Sequence, residues 1–300
     1  MAPGFLYRPA CEVCGGEQAQ VLLSTPFTDP KVWTFLHRYY QGRIQPEDVQ
    51  GAPFEVAHCP RCGFLWQRHI LDDEGMAALY SRWISPEESL AKRTEADAGL
   101  FARYAEEMQA IARHTGKPPH TTRVLDFGMG WGHWLQMARA FGFQATGVEL
   151  SEQRLAYARN QGLEVTPNLD QLPLESFDFI NAEQVFEHIP NPLETLRRLT
   201  QLLTPKGALR IAVPNAFRIP RQLANPRWQA AKDAIHPLEH INGFRHRSLQ
   251  TLARQANLTP THQPLLRTHR PDLRFHLVDH LKDHLRRRFG TGITFCRVGL

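Results

Sequence analysis

From residue 123 onward the apolar positions follow two alternating rhythms. Val124 and Leu125 form a short apolar run ending at Asp126, and Trp134, Leu135, Met137, Ala138 and Phe141 then recur at helical spacing until Gly142. The pattern predicts a second strand over residues 144–150. A helix follows with Ser151 as its N-cap, Leu155 and Tyr157 inside it and Gly162 past its end, and residues 163–166 read as a third strand. Residues 176–181 read as a fourth strand, and 192–207 as an amphipathic helix with Leu193, Leu196, Leu199 and Leu203 inward. Residues 208–213 form the expected fifth strand, 248–258 a helix, 259–267 a sixth strand and 293–298 a seventh. Such alternation describes an α/β domain built on a mostly parallel sheet.

Upstream the rhythm changes. Phe101, Tyr104, Met108 and Ile111 make one helical stripe, and the Pro-rich stretch 114–122 breaks it just before the first strand. Residues 24–56 mix Phe27, Trp33, Phe35, Tyr39 and Tyr40 with Pro and Gly, which reads as a long loop with one helix, either packed on the N-terminal domain or lying over a site. Residues 64–66 read as a strand. The expected organisation is therefore a small domain over residues 1–70, a helical linker over 71–120 and an α/β domain over 121–300.

The candidate chemistry sits where strand becomes helix. Gly128, Gly130 and Gly132 alternate across the turn after Asp126, which suits a backbone that bends sharply and lets a ligand approach. Glu149 lies 17 positions after Gly132 at the tip of the second strand, where an acid can take both hydroxyls of a ribose. The unit is a nucleotide-binding half of a Rossmann-like sheet. Its glycines do not follow the dinucleotide spacing Gly-x-Gly-x-x-Gly. The stretch from Asp126 to Gly132 instead resembles the first motif of class I S-adenosylmethionine-dependent methyltransferases, and Val148-Glu149-Leu150-Ser151 resembles their second.

The resemblance implies a seven-stranded Rossmann-like methyltransferase sheet whose last strand runs antiparallel, with Asp126, Gly128, Gly130, Gly132, Glu149 and Leu150 around S-adenosylmethionine. In that family a loop ending in Leu-Pro lies against the adenine and the segment after the fourth strand meets the methionine end. Here these are Asn168 and Leu169, with Asn168 in place of the usual acid, and Glu183. Glu187-His188 follows and reads as the opening of a helix, either holding the loop or taking part in catalysis.

Four of the five cysteines come as two pairs, Cys11-Glu-Val-Cys14-Gly and Cys59-Pro-Arg-Cys62-Gly. In a reducing compartment such pairs read as metal ligands. Four thiolates close a tetrahedral zinc site with no position left for water, so the zinc is expected to be structural. Disulfides or an iron–sulfur cluster are the alternatives; His58 and His69 lie near enough in sequence to substitute, and Cys296 reads as a core residue. Neither an N-terminal signal nor a membrane-length apolar run is visible, which predicts a cytoplasmic protein.

Charge narrows the partners. Residues 261–300 carry eight Lys or Arg against three Asp, a surplus equal to the chain's formal +5. A basic helix near 272–288 is expected, as a solvated face or as an attraction for an acidic or phosphorylated acceptor. No aromatic-basic interleaving speaks for nucleic acid. The whole layout resembles sugar C-methyltransferases and related natural-product enzymes, which share the paired cysteines and a linker with a Leu-Tyr pair, here Leu79-Tyr80; those sugar enzymes carry a further C-terminal domain. The expected function is methyl transfer to a small-molecule acceptor, a sugar, nucleotide-linked compound or other metabolite; the alternative is an RNA methyltransferase with a zinc-finger targeting domain. For the acceptor base the choice is His240 with Glu239 beside it, on the irregular segment after the fifth strand, because Glu239-His240 resembles the Glu-His pair that activates the acceptor in the sugar enzymes; His188 is the second choice, and holding the loop is the other role open to His240.

Overall fold

A computed structural model of the chain describes residues 4–85, 91, 98–261 and 294–298. The basic stretch near 272–288 and the side chain of Cys296 lie outside that description. Two compact units interleave along the chain: Met1–Thr94, Glu187–Pro192 and Pro214–Thr251 make the first, and Glu95–Phe186, Leu193–Val213 and Leu252–Leu300 the second.

The second unit is organised by a seven-stranded sheet. Its strands are β1 (Arg123–Phe127), β2 (Gln144–Val148), β3 (Glu164–Thr166), β4 (Phe177–Glu183), β5 (Leu203–Ala212), β6 (Leu258–Thr261) and β7 (Thr294–Val298). The spatial order is β6-β7-β5-β4-β1-β2-β3; β3, β2, β1, β4 and β5 run parallel, and β7 is antiparallel to both neighbours. This is the expected sheet, including its reversed last strand. Helix α1 (Ala98–Thr115) presents Met108 and Ile111 to a core containing Val124, Trp134, Ala138, Phe143 and Phe179. Helix α2 (His133–Ala140) ends where Gly142, at φ 88, lets the amides of Gly142 and Phe143 reach the carbonyls of Arg139 and Ala138.

Two boundaries differ from the sequence pattern. Helix α4 (Pro192–Leu202), third after α2 and α3 (Glu152–Asn160), stops at Leu202, and Leu203 is already buried in β5, paired with Phe177. Pro205 explains this, since a proline disfavours helix in the residue before it and cannot donate a helical hydrogen bond. Glu187-His188 belongs to a 3-10 turn, Phe186–His188, and the helix begins only at Pro192.

In the first unit the expected long loop is largely regular structure. The strands Asn242–Gly243, Leu65–Gln67, Pro53–His58 and Gln20–Pro26 form an antiparallel sheet in that order, and helix Pro30–Tyr39 begins at an Asp29 cap. Phe27, Val32, Leu36, Tyr40, Phe54 and Trp83 share one core cluster there. The aromatics that obscured the local pattern are thus the means by which this unit buries apolar area.

Candidate active site

The glycine turn is built from β1 and β2 together. The amides of Gly128 and Met129 both donate to the Val148 carbonyl, at 2.8 and 3.0 Å, so the turn is fastened to the tip of β2. Gly128, Gly130 and Gly132 have φ of 70, 56 and 81°, the left-handed region that favours glycine. Their uses differ. A Cβ on Gly128 would lie 2.5 Å from Val185, and one on Gly132 3.1 Å from Leu163, so those two positions are small for the protein's own packing. Among the described residues a Cβ on Gly130 would meet nothing within 4 Å, and the space above the turn is there.

Glu149 faces that turn. Its Oε2 accepts from the Gly130 amide at 3.0 Å and from Arg154 at 3.5 Å, while Oε1 accepts from the amides of Leu150 and Ser151, each at 3.0 Å. The carboxylate is therefore held in one orientation before any ligand arrives. The neighbouring Leu150 is 83% exposed, an apolar side chain left open beside an acid. Asn168 spends its side-chain oxygen on the Asp170 amide, at 2.8 Å, capping the short turn Leu169–Gln171; Leu169 is half-buried within it. These features fit an adenosine: oriented acceptors for ribose hydroxyls, open space over a glycine and an apolar surface for a base.

Beneath the turn runs a buried charged network. Asn181 donates to Asp126 at 2.8 Å, and Arg210 donates to the Asn181 oxygen and to Glu107, both at 2.9 Å. Trp134 also donates to Glu107, at 3.0 Å, and Arg103 bridges Glu107 and Glu183 at 3.1 and 3.0 Å. Burial pushes the Asp126 carboxyl up to about 7, with the Asn181 hydrogen bond opposing and Glu183 adding to the rise. Glu183 thus sits among cations. Sequence reading found Asp126 and Glu183 but missed Glu107, Arg210, Asn181 and Arg103. The signal available was polar side chains at inward positions of apolar elements: Arg210 between Leu209 and Ile211, and Glu107 beside Met108.

In the first unit the four cysteines come together. Cys11 and Cys62 sulfurs lie 3.5 Å apart, and Cys14 and Cys59 3.6 Å apart. All four are free thiols, and their sulfurs lie within 4.8 Å of one another. A tetrahedron with zinc–sulfur bonds of ~2.3 Å has edges of roughly 3.8 Å, so the cage has the right size for that ion. Gly15 and Gly63, at φ 66 and 79°, donate to the carbonyls of Cys11 and Cys59, closing each turn behind its first ligand. His58 and His69 are not part of the cluster.

The same unit gathers histidines. Nδ1 of His240 lies 2.7 Å from the Asp233 carbonyl and Nδ1 of His236 3.3 Å from it; an accepting carbonyl requires the proton on Nδ1 and leaves Nε2 with its lone pair. The His236 and His240 rings are 4.0 Å apart, and those of His188 and His240 4.8 Å. Gln67 fixes the loop by donating to the carbonyls of His236 and His240, at 2.7 and 3.0 Å. Burial takes both His236 and His240 down to about 3, which differs from the near-neutral value expected of a base. Glu239 points to other work: its Oε1 accepts from the Tyr40 hydroxyl at 2.8 Å. Glu187, His188 and His240 bring one carboxylate and two imidazoles within 4.8 Å of one another.

A family model described as a methyltransferase domain matches residues 97–263. The ubiquinone biosynthesis O-methyltransferase of Bordetella pertussis is 30% identical over 211 residues, 63% of this chain and 80% of that one. The enzyme of the same description from Xanthomonas oryzae is 32% identical over 151 residues, 43% of this chain and 62% of its own length. Among solved structures, the Burkholderia thailandensis 1,6-didemethyltoxoflavin-N1-methyltransferase, with 1,6-didemethyltoxoflavin and S-adenosylhomocysteine bound, aligns at a TM-score of 0.47 and 18% identity, covering 82% of this chain and 96% of that one.

Proposed function

The chain belongs to the S-adenosylmethionine-dependent methyltransferases, and from that premise we propose that it methylates a hydroxyl oxygen of a small-molecule acceptor. The observation that carries the cofactor half is the oriented Glu149 carboxylate facing open space at Gly130. Glu149 takes the ribose hydroxyls, Leu150 and Leu169 flank the adenine, Asn168 lies at its edge, and the turn of Gly128, Gly130 and Gly132 passes under the chain that joins adenosine to methionine. Asp126 and Glu183 are the acids for the methionine end, and an ammonium there offsets the burial that otherwise protonates Asp126. When bound, the sulfonium supplies an electrophilic methyl group and a neutral leaving sulfide.

Oxygen as the target is supported by the relatives, whose described reaction is O-methylation. His240 and His188 are the residues assigned to the acceptor's hydroxyl. Glu239 is a positioning residue there, held by Tyr40. The positive surplus of residues 261–300 supports an acceptor that carries negative charge. Cys11, Cys14, Cys59 and Cys62 hold one structural zinc that keeps the first unit folded, within an N-terminal domain proposed over residues 1–70 and joined through a linker at 71–120 to the methyltransferase domain at 121–300. No helix among the described residues is long and apolar enough to cross a membrane.

The proposal is tested by incubating the protein with S-adenosylmethionine and a panel of hydroxylated, carboxylated metabolites and reading products by mass spectrometry. A methyl ether formed with one S-adenosylhomocysteine per turnover supports it. Methyl groups appearing only on nitrogen, on carbon or on RNA overturn the oxygen assignment.

A further inference from the structure

We propose that Glu187, His188 and His240 form a second metal site in the first unit, unlike the thiolate cage in its donors, which binds a divalent transition-metal ion and leaves coordination positions open for an oxygen of the acceptor. The cation site stands on the geometry of these three side chains; its use toward the acceptor rests on the reading given above.

The donor atoms of the three residues lie within 4.8 Å of one another, close enough for one ion to reach all three after small side-chain rotations. One carboxylate and two imidazoles suit manganese, iron, cobalt, nickel or zinc, and three protein ligands on one side leave the other positions for water or substrate. His240 is prepared for the task in the manner usual for metal-bound histidines. Its Nδ1 is tied to the Asp233 carbonyl at 2.7 Å, which fixes both ring orientation and tautomer and frees Nε2 for the ion. The backbone behind it is fastened by Gln67.

One further observation points to a cation there. His236, 1% exposed and tilted against the His240 ring, keeps a buried Nε2 with no hydrogen-bond partner among the described residues beside the cluster, a place where a metal-bound water would serve.

A cation at this place changes how the acceptor is activated. A hydroxyl oxygen coordinated to it becomes more acidic, as metal-bound water does, and releases its proton to solvent. The resulting oxyanion forms the bond to the methyl carbon as the carbon–sulfur bond breaks and its electron pair goes to sulfur, giving a methyl ether, S-adenosylhomocysteine and a proton. Acceptors with two neighbouring oxygens, which can chelate the ion, fit this site best.

The test uses the full chain with zinc retained in its cysteine cage. Mn2+, which thiolates hold poorly, is titrated and free Mn2+ is read by electron paramagnetic resonance. One Mn2+ per chain is expected, with His188→Asn and His240→Asn each weakening binding at least tenfold while circular dichroism and S-adenosylmethionine affinity stay as in the wild type. Should these variants misfold, Co2+ added to the wild type decides: a visible spectrum of nitrogen and oxygen ligation supports the site, and sulfur-to-metal charge transfer alone overturns it. Absence of any Mn2+ or Co2+ beyond the cysteine cage, or binding unchanged in both variants, also overturns it. Mn2+ bound as expected without methyl transfer to any hydroxyl would leave the metal site standing and overturn the oxygen-methylation reading. Methyl ether formation unaffected by chelation, with no Mn2+ bound, would do the reverse.

Discussion

The two units group their chemistry-bearing side chains in different ways. In the second, Glu107, Glu183, Arg103 and Arg210 neutralise one another and anchor Asp126 through Asn181. In the first, four thiols come together in one cluster and three imidazoles in another, with Glu187 beside the latter. A network of paired charges is complete in itself and can preorganise a site for an organic ligand. The difference teaches that the second unit meets its buried charges with its own side chains, whereas the first gathers donor atoms of the kind a metal ion would hold.

That contrast is sharpest at the cysteines. Zinc binding to such sites is worth on the order of 10 kcal/mol, comparable to a typical domain's whole stability. Cys62→Ser is therefore expected to melt the first unit, lowering its transition by ~10 °C or more, as calorimetry with metal analysis would show; an unchanged transition in zinc-free protein would erase the distinction. Next comes His240→Asn, which should reduce turnover by about 10² to 10⁴-fold with cofactor affinity preserved. A fully active variant would remove the histidine cluster from the chemistry.

The second unit should fail differently. Arg210→Met leaves buried Glu107 with the half-buried Arg103 as its remaining counter-charge and should cost about 3 kcal/mol in denaturant unfolding, whereas adding Glu107→Gln should restore part of the loss. If the double variant is no better than the single, the residues do not act as a network. A smaller effect concerns pH. The Asp126 carboxyl rises from 3.8 to about 7 on folding, so the folded form holds its proton more tightly, and stability contributed by this group falls as pH climbs from about 4 to about 7. Asp126→Asn should remove that decline in cofactor-free protein, narrowing by a few degrees the drop in melting temperature between pH 5 and pH 8. A variant with the wild-type pH profile would place the titration elsewhere.

How far the chain could be read in advance follows the same division. The placement of the glycine turn, of Glu149 beside it and of the paired cysteines was legible because it is set by spacing of a few residues. The seven-stranded sheet was legible through the methyltransferase resemblance, and the reversed β7 with it; the strand order came from the structure. Local pattern misled where long-range packing decides: Leu203 has helical spacing but joins β5, and residues 24–56 look irregular because their aromatics serve a core completed by Leu65, Trp83 and Ile235 from elsewhere in the chain. The bond between Arg210 and Glu107 spans 103 positions and leaves no trace in sequence spacing. The same is true of His188 and His240, whose rings meet across 52 positions; each was noticed alone, and only the fold shows them as one cluster.

The claim at the centre of this account is that the turn at Gly130 and the fixed Glu149 carboxylate bind S-adenosylmethionine. Isothermal calorimetry on wild type and Glu149→Ala tests it directly. Loss of two charge-assisted hydrogen bonds, each worth about 1.5 to 3 kcal/mol, predicts at least tenfold weaker binding in a variant whose far-ultraviolet spectrum is unchanged. Equal affinity in the two proteins, or no binding by either, would contradict it.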